Sequence, residues 1–231
     1  MIKIIDHRSA WCDDIKNFSD ASLQGTLEGA KLSFSRGRGI EMDVRDCNGK
    51  IVVTQNLPVG GELLFEDVLK AYKQSNCDGL LAVDIKSCWI QREVKRLLDE
   101  YDVTNYFCFG MSIPETLGYL NINAKTYLRD SEYEQIDKDN WLYDSCEGVW
   151  LDQFNAGEPT RVNLELIKRY VSDGKQVCIC SPDLHGWGRD YNDLLDCWSV
   201  YKTALESLTE DEQKLVSICT NLPLDAERFF S

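Results

Sequence analysis

Eight short runs rich in Ile, Val and aromatic residues, separated by longer segments with helical periodicity, sharply narrow the folds open to this chain. The runs are Ile2 to His7, Gly39 to Arg45, Leu80 to Lys86, Asn105 to Met111, Lys125 to Arg129, Gly148 to Gln153, Gln176 to Ser181 and Leu215 to Thr220. Between them, Leu23, Leu27, Ala30 and Phe34 keep one helical stripe, as do Val94, Leu97, Leu98 and Tyr101, and later Leu194, Trp198, Tyr201 and Leu205. Gly174 marks the end of a further helix that starts near Asn163. Strands alternating with helices imply parallel βα units. Eight such units over 231 residues predict an α/β chain folded as a (β/α)8 TIM-type barrel in a single domain, a fold that usually takes ~250 residues. A doubly wound open sheet is the other arrangement compatible with the pattern. Asp46-Cys47-Asn48-Gly49 is a turn signal, so Lys50 to Thr54 is expected to add a short hairpin strand after strand 2.

Composition sets the surroundings. Apolar residues make up 43% of the chain and charged residues 28%, enough for a core and no basis for disorder. The formal net charge of -14 disfavours nucleic acid and anionic membranes as partners. A site for an anionic small molecule therefore needs local positive charge or a metal. No apolar run approaches the ~20 residues of a membrane span, and Met-Ile-Lys-Ile-Ile-Asp at the start is not a signal-peptide pattern, so the expected location is cytoplasmic. The ten cysteines are scattered, with Cys178 and Cys180 on one face of a strand and no zinc-spaced Cys-x-x-Cys, which predicts reduced thiols packed as small hydrophobes.

Chemistry concentrates at strand ends. Side chains two residues apart on a strand share a face, so Glu41 and Asp43 point one way while Ile40, Met42 and Val44 point the other. Asp84 and Lys86 repeat the arrangement on the next strand. Either pair alone would serve as a solvated face or an ion pair. Both at strand ends of one barrel point to a site, with oxygen ligands suited to Mg²⁺ or Ca²⁺ and a lysine suited to a phosphate oxygen. His7, one of two histidines, closes the first strand beside Arg8 and puts a proton carrier next to a phosphate-binding guanidinium. His185 lies in the loop after the seventh strand, followed by Trp187.

His7-Arg8, Asn17, Gly39-Ile40-Glu41-Met42-Asp43-Val44, Val52-Val53, Asp84-Ile85-Lys86 and Thr220-Asn221-Leu222-Pro223 together resemble the motif series of the glycerophosphodiester phosphodiesterases. The resemblance spans nearly the whole chain. It implies a (β/α)8 barrel, a divalent cation held by Glu41, Asp43 and Asp84, His7 as general acid or base, and Arg8, Lys86 and Asn17 as contacts for a small-molecule phosphodiester. Where the family has His-Asp after the hairpin, this chain has Gln55-Asn56; its Gly after His-Arg is Ser9; and the segment that carries an inserted domain in many members is reduced to Leu57 to Leu64.

Loss of the second histidine leaves three explanations. His185 replaces it as second catalytic histidine; the substrate has a leaving group that needs only His7; or the protein binds a phosphodiester, through Gln55 and Trp187 among others, with little or no turnover. The expected activity is metal-dependent hydrolysis of a glycerol-, polyol- or sugar-containing phosphodiester. A binding or regulatory protein is the alternative from another class, and a sugar-phosphate lyase or aldolase using Lys86 is a third.

Overall fold

The structure, a computed structural model, describes residues 2–9, 23–155, 161–185 and 190–231. The chain divides into two compact units, one of Ile5–Thr126 and the other of Tyr127–Ser231 together with the first four residues.

In the first unit, β1 (Lys3–His7, from Ile5 onward), β2 (Gly39–Cys47), β5 (Leu81–Ile85) and β6 (Tyr106–Phe109) are the parallel strands. They alternate with α1 (Leu27–Ser35), α2 (Phe65–Ser75), α3 (Gln91–Glu100) and α4 (Ile113–Leu120). The Thr26 hydroxyl opens α1 by accepting from the Gly29 amide. Past the end of β1, β2 runs on into an antiparallel hairpin with β3 (Lys50–Val53). Its two-residue turn, Asn48 and Gly49, has φ of 50° and 76°, the left-handed pair that two-residue hairpins favour. Leu57 to Leu64, expected only as a shortened connection, ends in a two-residue strand, β4 (Leu63–Leu64), which pairs with β3 and leads straight into α2.

Period-two alternation decides what each strand presents. Ile40, Met42 and Val44 of β2, Leu81, Val83 and Ile85 of β5, and Tyr106 and Cys108 of β6 join Phe34, Phe65, Leu69, Val94, Leu98 and Tyr119 in one buried cluster under the helices. Glu41, Asp43 and Arg45, with Asp84, are left for the opposite face.

In the second unit, β7 (Tyr127–Asp130), β8 (Gly148–Leu151), β9 (Gln176–Cys180) and β10 (Val216–Thr220) pair in that order, all parallel. The helices are α5 (Trp141–Ser145), α6 (Leu164–Val171), α7 (Tyr191–Glu206), α8 (Glu210–Gln213) and α9 (Pro223–Phe230). Asn163 caps α6 through the Leu166 amide, and Gly174 follows that helix in the left-handed region. Thr220-Asn221-Leu222-Pro223 has a clear local job. The Thr220 hydroxyl and the Asn221 amide donate to buried Asp183, the Leu222 amide donates back to the Thr220 hydroxyl, and Pro223 begins α9. Trp198 of α7 packs on Phe229 and Phe230 of α9 and donates its indole N–H to Ser181. All eight strands expected from the sequence are present, each within a few residues of its expected ends. The nine cysteines among the described residues are free thiols.

One buried charge pair ties the first unit together. Asp6, fully buried on β1, accepts from Arg38 Nε at 2.6 Å and Nη2 at 3.2 Å, and from the Ser33 hydroxyl at 2.7 Å. In the sequence, Asp6 reads only as part of a strand. Removing one partner of such a pair strands the other charge in a low-dielectric interior. Asp6→Ala is expected to destabilise the fold by about 3–5 kcal/mol in equilibrium urea unfolding; a loss below about 1 kcal/mol would show that water or a neighbour rescues Arg38.

Candidate functional site

The site is assembled by register. β1 pairs with β2 so that His7 lies opposite Glu41, and β2 pairs with β5 so that Asp43 lies opposite Asp84. Four side chains from three strands thus reach the same face near the strand ends. One oxygen from each of Glu41, Asp43 and Asp84 falls within 4.8 Å of the other two, and all three residues are buried.

Counter-charges come from both sides. Arg8 Nε lies 2.9 Å from Asp43 Oδ2, and Lys86 Nζ lies 3.3 Å from Asp43 Oδ1 and 2.7 Å from Asp84 Oδ2. Burial works against the Lys86 ammonium, but Asp84 and Asp43 more than offset it, so its pKa sits above the ordinary lysine value. Glu41 is less well served. Its Oε2 is buried with no hydrogen-bond partner and faces His7 Nε2 at 3.6 Å. Burial, followed by repulsion from Asp43 and Asp84, pushes its pKa well above the usual carboxylate range despite Arg8 and Lys86. A desolvated carboxylate oxygen without a donor, converging with two more carboxylates, is a donor set that would suit a hard divalent cation.

Arg8 and Ser9 adopt consecutive left-handed conformations, with φ of 55° and 74°. Ser9, where the family motif has Gly, is held there by its hydroxyl, which donates to the Leu23 carbonyl at 3.3 Å and accepts from the Gly25 amide at 3.2 Å. The turn aims the Arg8 guanidinium at Asp43 and, through Nη2 at 2.6 Å, at the Gln55 amide oxygen. His7, Arg8, Glu41, Asp43, Gln55, Asp84 and Lys86 are therefore gathered in the Ile5–Thr126 unit. Asn17 and Trp187 lie outside the described residues.

Two further contributors are not apparent from the sequence alone. Arg45 donates to the Lys86 carbonyl at 3.0 Å and the Gln55 carbonyl at 3.2 Å, bracing the backbone that carries both residues. The same period-two alternation that singled out Glu41 and Asp43 puts Arg45 on their face. Gly110 falls inside an expected strand, but β6 stops at Phe109 and Gly110 turns left-handed at φ 81°. A Cβ there would lie 2.0 Å from Asp84 Oδ1. Glycine is what lets the Asp84 carboxylate occupy its place.

His185 lies in the Tyr127–Ser231 unit, where its Nε2 is 2.7 Å from Asp152 Oδ1 and 3.6 Å from Cys180 Sγ. Burial works against the Asp152 carboxylate, but the hydrogen bond and charge of His185 hold its pKa below the ordinary aspartate value. Burial, then Asp152, pushes the Cys180 thiol well up. Arg129, whose strand face would let it line a pocket, instead pairs with Glu134 at 3.3 Å.

No protein-family model matches the chain, and neither does any curated protein. Solved structures do. A protein from Galdieria sulphuraria, provisionally assigned as a glycerophosphodiester phosphodiesterase, superposes with a TM-score of 0.69 at 15% identity, covering 100% of this chain and 98% of the other. An Oleispira antarctica phosphodiesterase, solved with its product sn-glycerol-3-phosphate, gives 0.62 at 11% identity over 98% and 96%. The glycerophosphodiester phosphodiesterase of Agrobacterium tumefaciens gives 0.58 at 15% identity over 100% and 99%. Full coverage in both directions, by barrels of the class expected from the strand pattern, leaves the doubly wound sheet aside: the chain has the α/β TIM-type fold of the glycerophosphodiester phosphodiesterases.

Proposed function

We propose that this chain is a divalent-cation-dependent phosphodiesterase acting on a small glycerol-, polyol- or sugar-containing phosphodiester, with His7 as its proton carrier. The observation that carries the reading is the convergence of Glu41, Asp43 and Asp84 beside Arg8, Lys86 and His7. The likeness in fold to the Oleispira antarctica phosphodiesterase, which binds sn-glycerol-3-phosphate, supports the substrate class.

Charge counting says why a cation belongs there. With all three carboxylates ionised, the cluster and its paired Arg8 and Lys86 carry one negative charge in excess, which would repel a phosphodiester. Held by Glu41, Asp43 and Asp84, Mg²⁺ or Ca²⁺ would reverse that sign and neutralise charge on the phosphoryl oxygens. Arg8 and Lys86, no longer the sole partners of Asp43 and Asp84, then have donors to offer the substrate phosphate. His7 is close enough to the carboxylates to serve the same bound group, giving a proton to the departing ester oxygen or taking one from the attacking hydroxyl. Arg45 keeps Lys86 and Gln55 in register with Arg8. His185, whose reactive nitrogen is engaged by Asp152, is given no step.

A phosphodiester-binding protein with little turnover is the second reading, favoured by Gln55, an amide that exchanges no proton near neutral pH and is tied to Arg8.

Hydrolysis of bis-p-nitrophenyl phosphate, with Mg²⁺, Ca²⁺ or Mn²⁺ against an EDTA control, tests the proposal. Turnover should require the cation, fall at least about 100-fold in Glu41→Ala and Asp43→Ala, and fall by about 10² to 10⁴ in His7→Ala; full activity in both carboxylate variants would sink the site. Gln55→His separates the two readings, because a large gain marks a protein that had lost turnover, whereas no change or a loss marks chemistry that runs on His7.

Glu41 also has a signature independent of activity. Its folded pKa lies above its unfolded value, so the protonated form carries the stability, fully present below the unfolded pKa and lost as pH rises through the raised one. Near neutral pH, Glu41→Gln should therefore raise the melting temperature of the metal-free protein, by about 2–4 °C for each kcal/mol relieved. It should also abolish the thermal stabilisation that added cation gives the wild type. A lower melting temperature with an intact cation response would contradict both the electrostatics and the ligand assignment.

A further inference from the structure

We infer that Asp152, Cys180 and His185 form a second metal site, distinct in chemistry from the carboxylate cluster and suited to a borderline late first-row cation such as Zn²⁺. It does not depend on the phosphodiesterase reading.

The sheet brings the three together. Trp150 of β8 lies opposite Cys178 of β9, so Asp152, two residues after Trp150, continues the face that Cys180 shares with Cys178. The turn Pro182–Leu184 then brings His185 back over the end of β9. One atom from each residue lies within 4.8 Å of the other two, and Asp152 and Cys180 are buried.

A hydrogen-bonded relay would look different. In a nucleophile, histidine and carboxylate chain, the imidazole uses one ring nitrogen for each neighbour. Here both neighbours converge on the same one: Nε2 is 2.7 Å from Asp152 Oδ1 and 3.6 Å from Cys180 Sγ. A ring nitrogen, a sulfur and a carboxylate oxygen within 4.8 Å of one another make a ligand triangle, and small shifts that part the hydrogen-bonded Nε2 and Oδ1 would bring each to a cation at the ~2.0–2.3 Å of zinc bonds. Sulfur and imidazole select against Mg²⁺ and Ca²⁺, the cations that suit the all-oxygen cluster.

The surroundings hold the triangle as outer groups hold metal ligands. Trp150 Nε1 donates to Asp152 Oδ2 at 3.2 Å, and the Gln153 amide donates to Oδ1 at 2.9 Å. The Phe154 ring lies 4.9 Å from the imidazole. Three protein ligands leave a fourth tetrahedral position for water or a small anion, and binding releases the Cys180 proton.

Cobalt reads this site without reporting on the other, because only a thiolate ligand gives sulfur-to-cobalt charge transfer. Full-length protein, kept reduced and with Mg²⁺ in excess to fill the carboxylate cluster, is titrated with Co²⁺. The expected result is a near-ultraviolet charge-transfer band with tetrahedral visible bands, saturating at a single Co²⁺ and displaced by Zn²⁺. Cys180→Ser should abolish the charge transfer with unchanged circular dichroism, and Glu41→Gln should keep it. His185→Ala, at a less buried position, should weaken Co²⁺ binding at least about tenfold and serves as the deciding variant if Cys180→Ser does not fold. Absence of the band in the wild type, or its persistence in Cys180→Ser or unweakened in His185→Ala, overturns the site, and either result leaves the phosphodiesterase reading untouched.

Discussion

Water stabilises a carboxylate by several kcal/mol that a protein interior must replace, and β2 and β5 bury three carboxylates side by side. Much of the Ile5–Thr126 unit answers that demand. Lys86 sits two residues beyond Asp84 on the same face and reaches both Asp84 and Asp43. Arg8 leaves β1 through a left-handed turn held by backbone hydrogen bonds and by the Ser9 hydroxyl, and it meets Asp43 from the other side. Gly110 gives up a side chain so that Asp84 has room. Glu41 receives the least compensation, which is why a cation has most to gain there.

Period-two alternation made the strands and the site legible, because it fixes which residues share a face without any knowledge of which strands are neighbours. Glu41, Asp43, Asp84 and Lys86 could be picked out for that reason. The same rule contained Arg45, but an arginine at a strand end carries no signal until the chain it braces is known. Gly110 and Asp6 were hidden more deeply. The role of Gly110 depends on a carboxylate 26 positions away in the chain, and the burial of Asp6 depends on Arg38 and Ser33, which alternation within β1 does not reveal. The motif Thr220-Asn221-Leu222-Pro223 was legible as a family feature, while its physical work, satisfying Asp183 and starting α9, needed the fold.

The cluster around His185 shows a second way in which sequence falls short. Asp152, Cys180 and His185 are spaced 28 and 5 residues apart, which matches no compact metal motif, and the histidine stands out only as one of two in the chain. The parallel register of β8 and β9 supplies the missing link by putting the residue after one strand beside the end of the next. Cysteine also looked uninformative because ten were scattered along the chain, most of them buried. What distinguishes Cys180 is its neighbours, not its spacing.

The exchange of histidine for Gln55 changes more than the number of proton carriers. Gln55 accepts a hydrogen bond from Arg8 Nη2 while Asp43 Oδ2 forms an ion pair with Nε at 2.9 Å, so the guanidinium has a partner on each side. A histidine in that position would present an acceptor only while neutral and would repel Arg8 once protonated, whereas an amide oxygen accepts at every pH. Arg45 strengthens the arrangement by donating to the Gln55 carbonyl and the Lys86 carbonyl together, coupling the Arg8 tether to the lysine on the far side of Asp43. Compared with the family's histidine, Gln55 thus offers no mobile proton and gives the Arg8 guanidinium a fixed acceptor. On the proposed reading, that favours orientation of a bound anion over proton exchange and leaves His7 to carry the proton chemistry of the cluster.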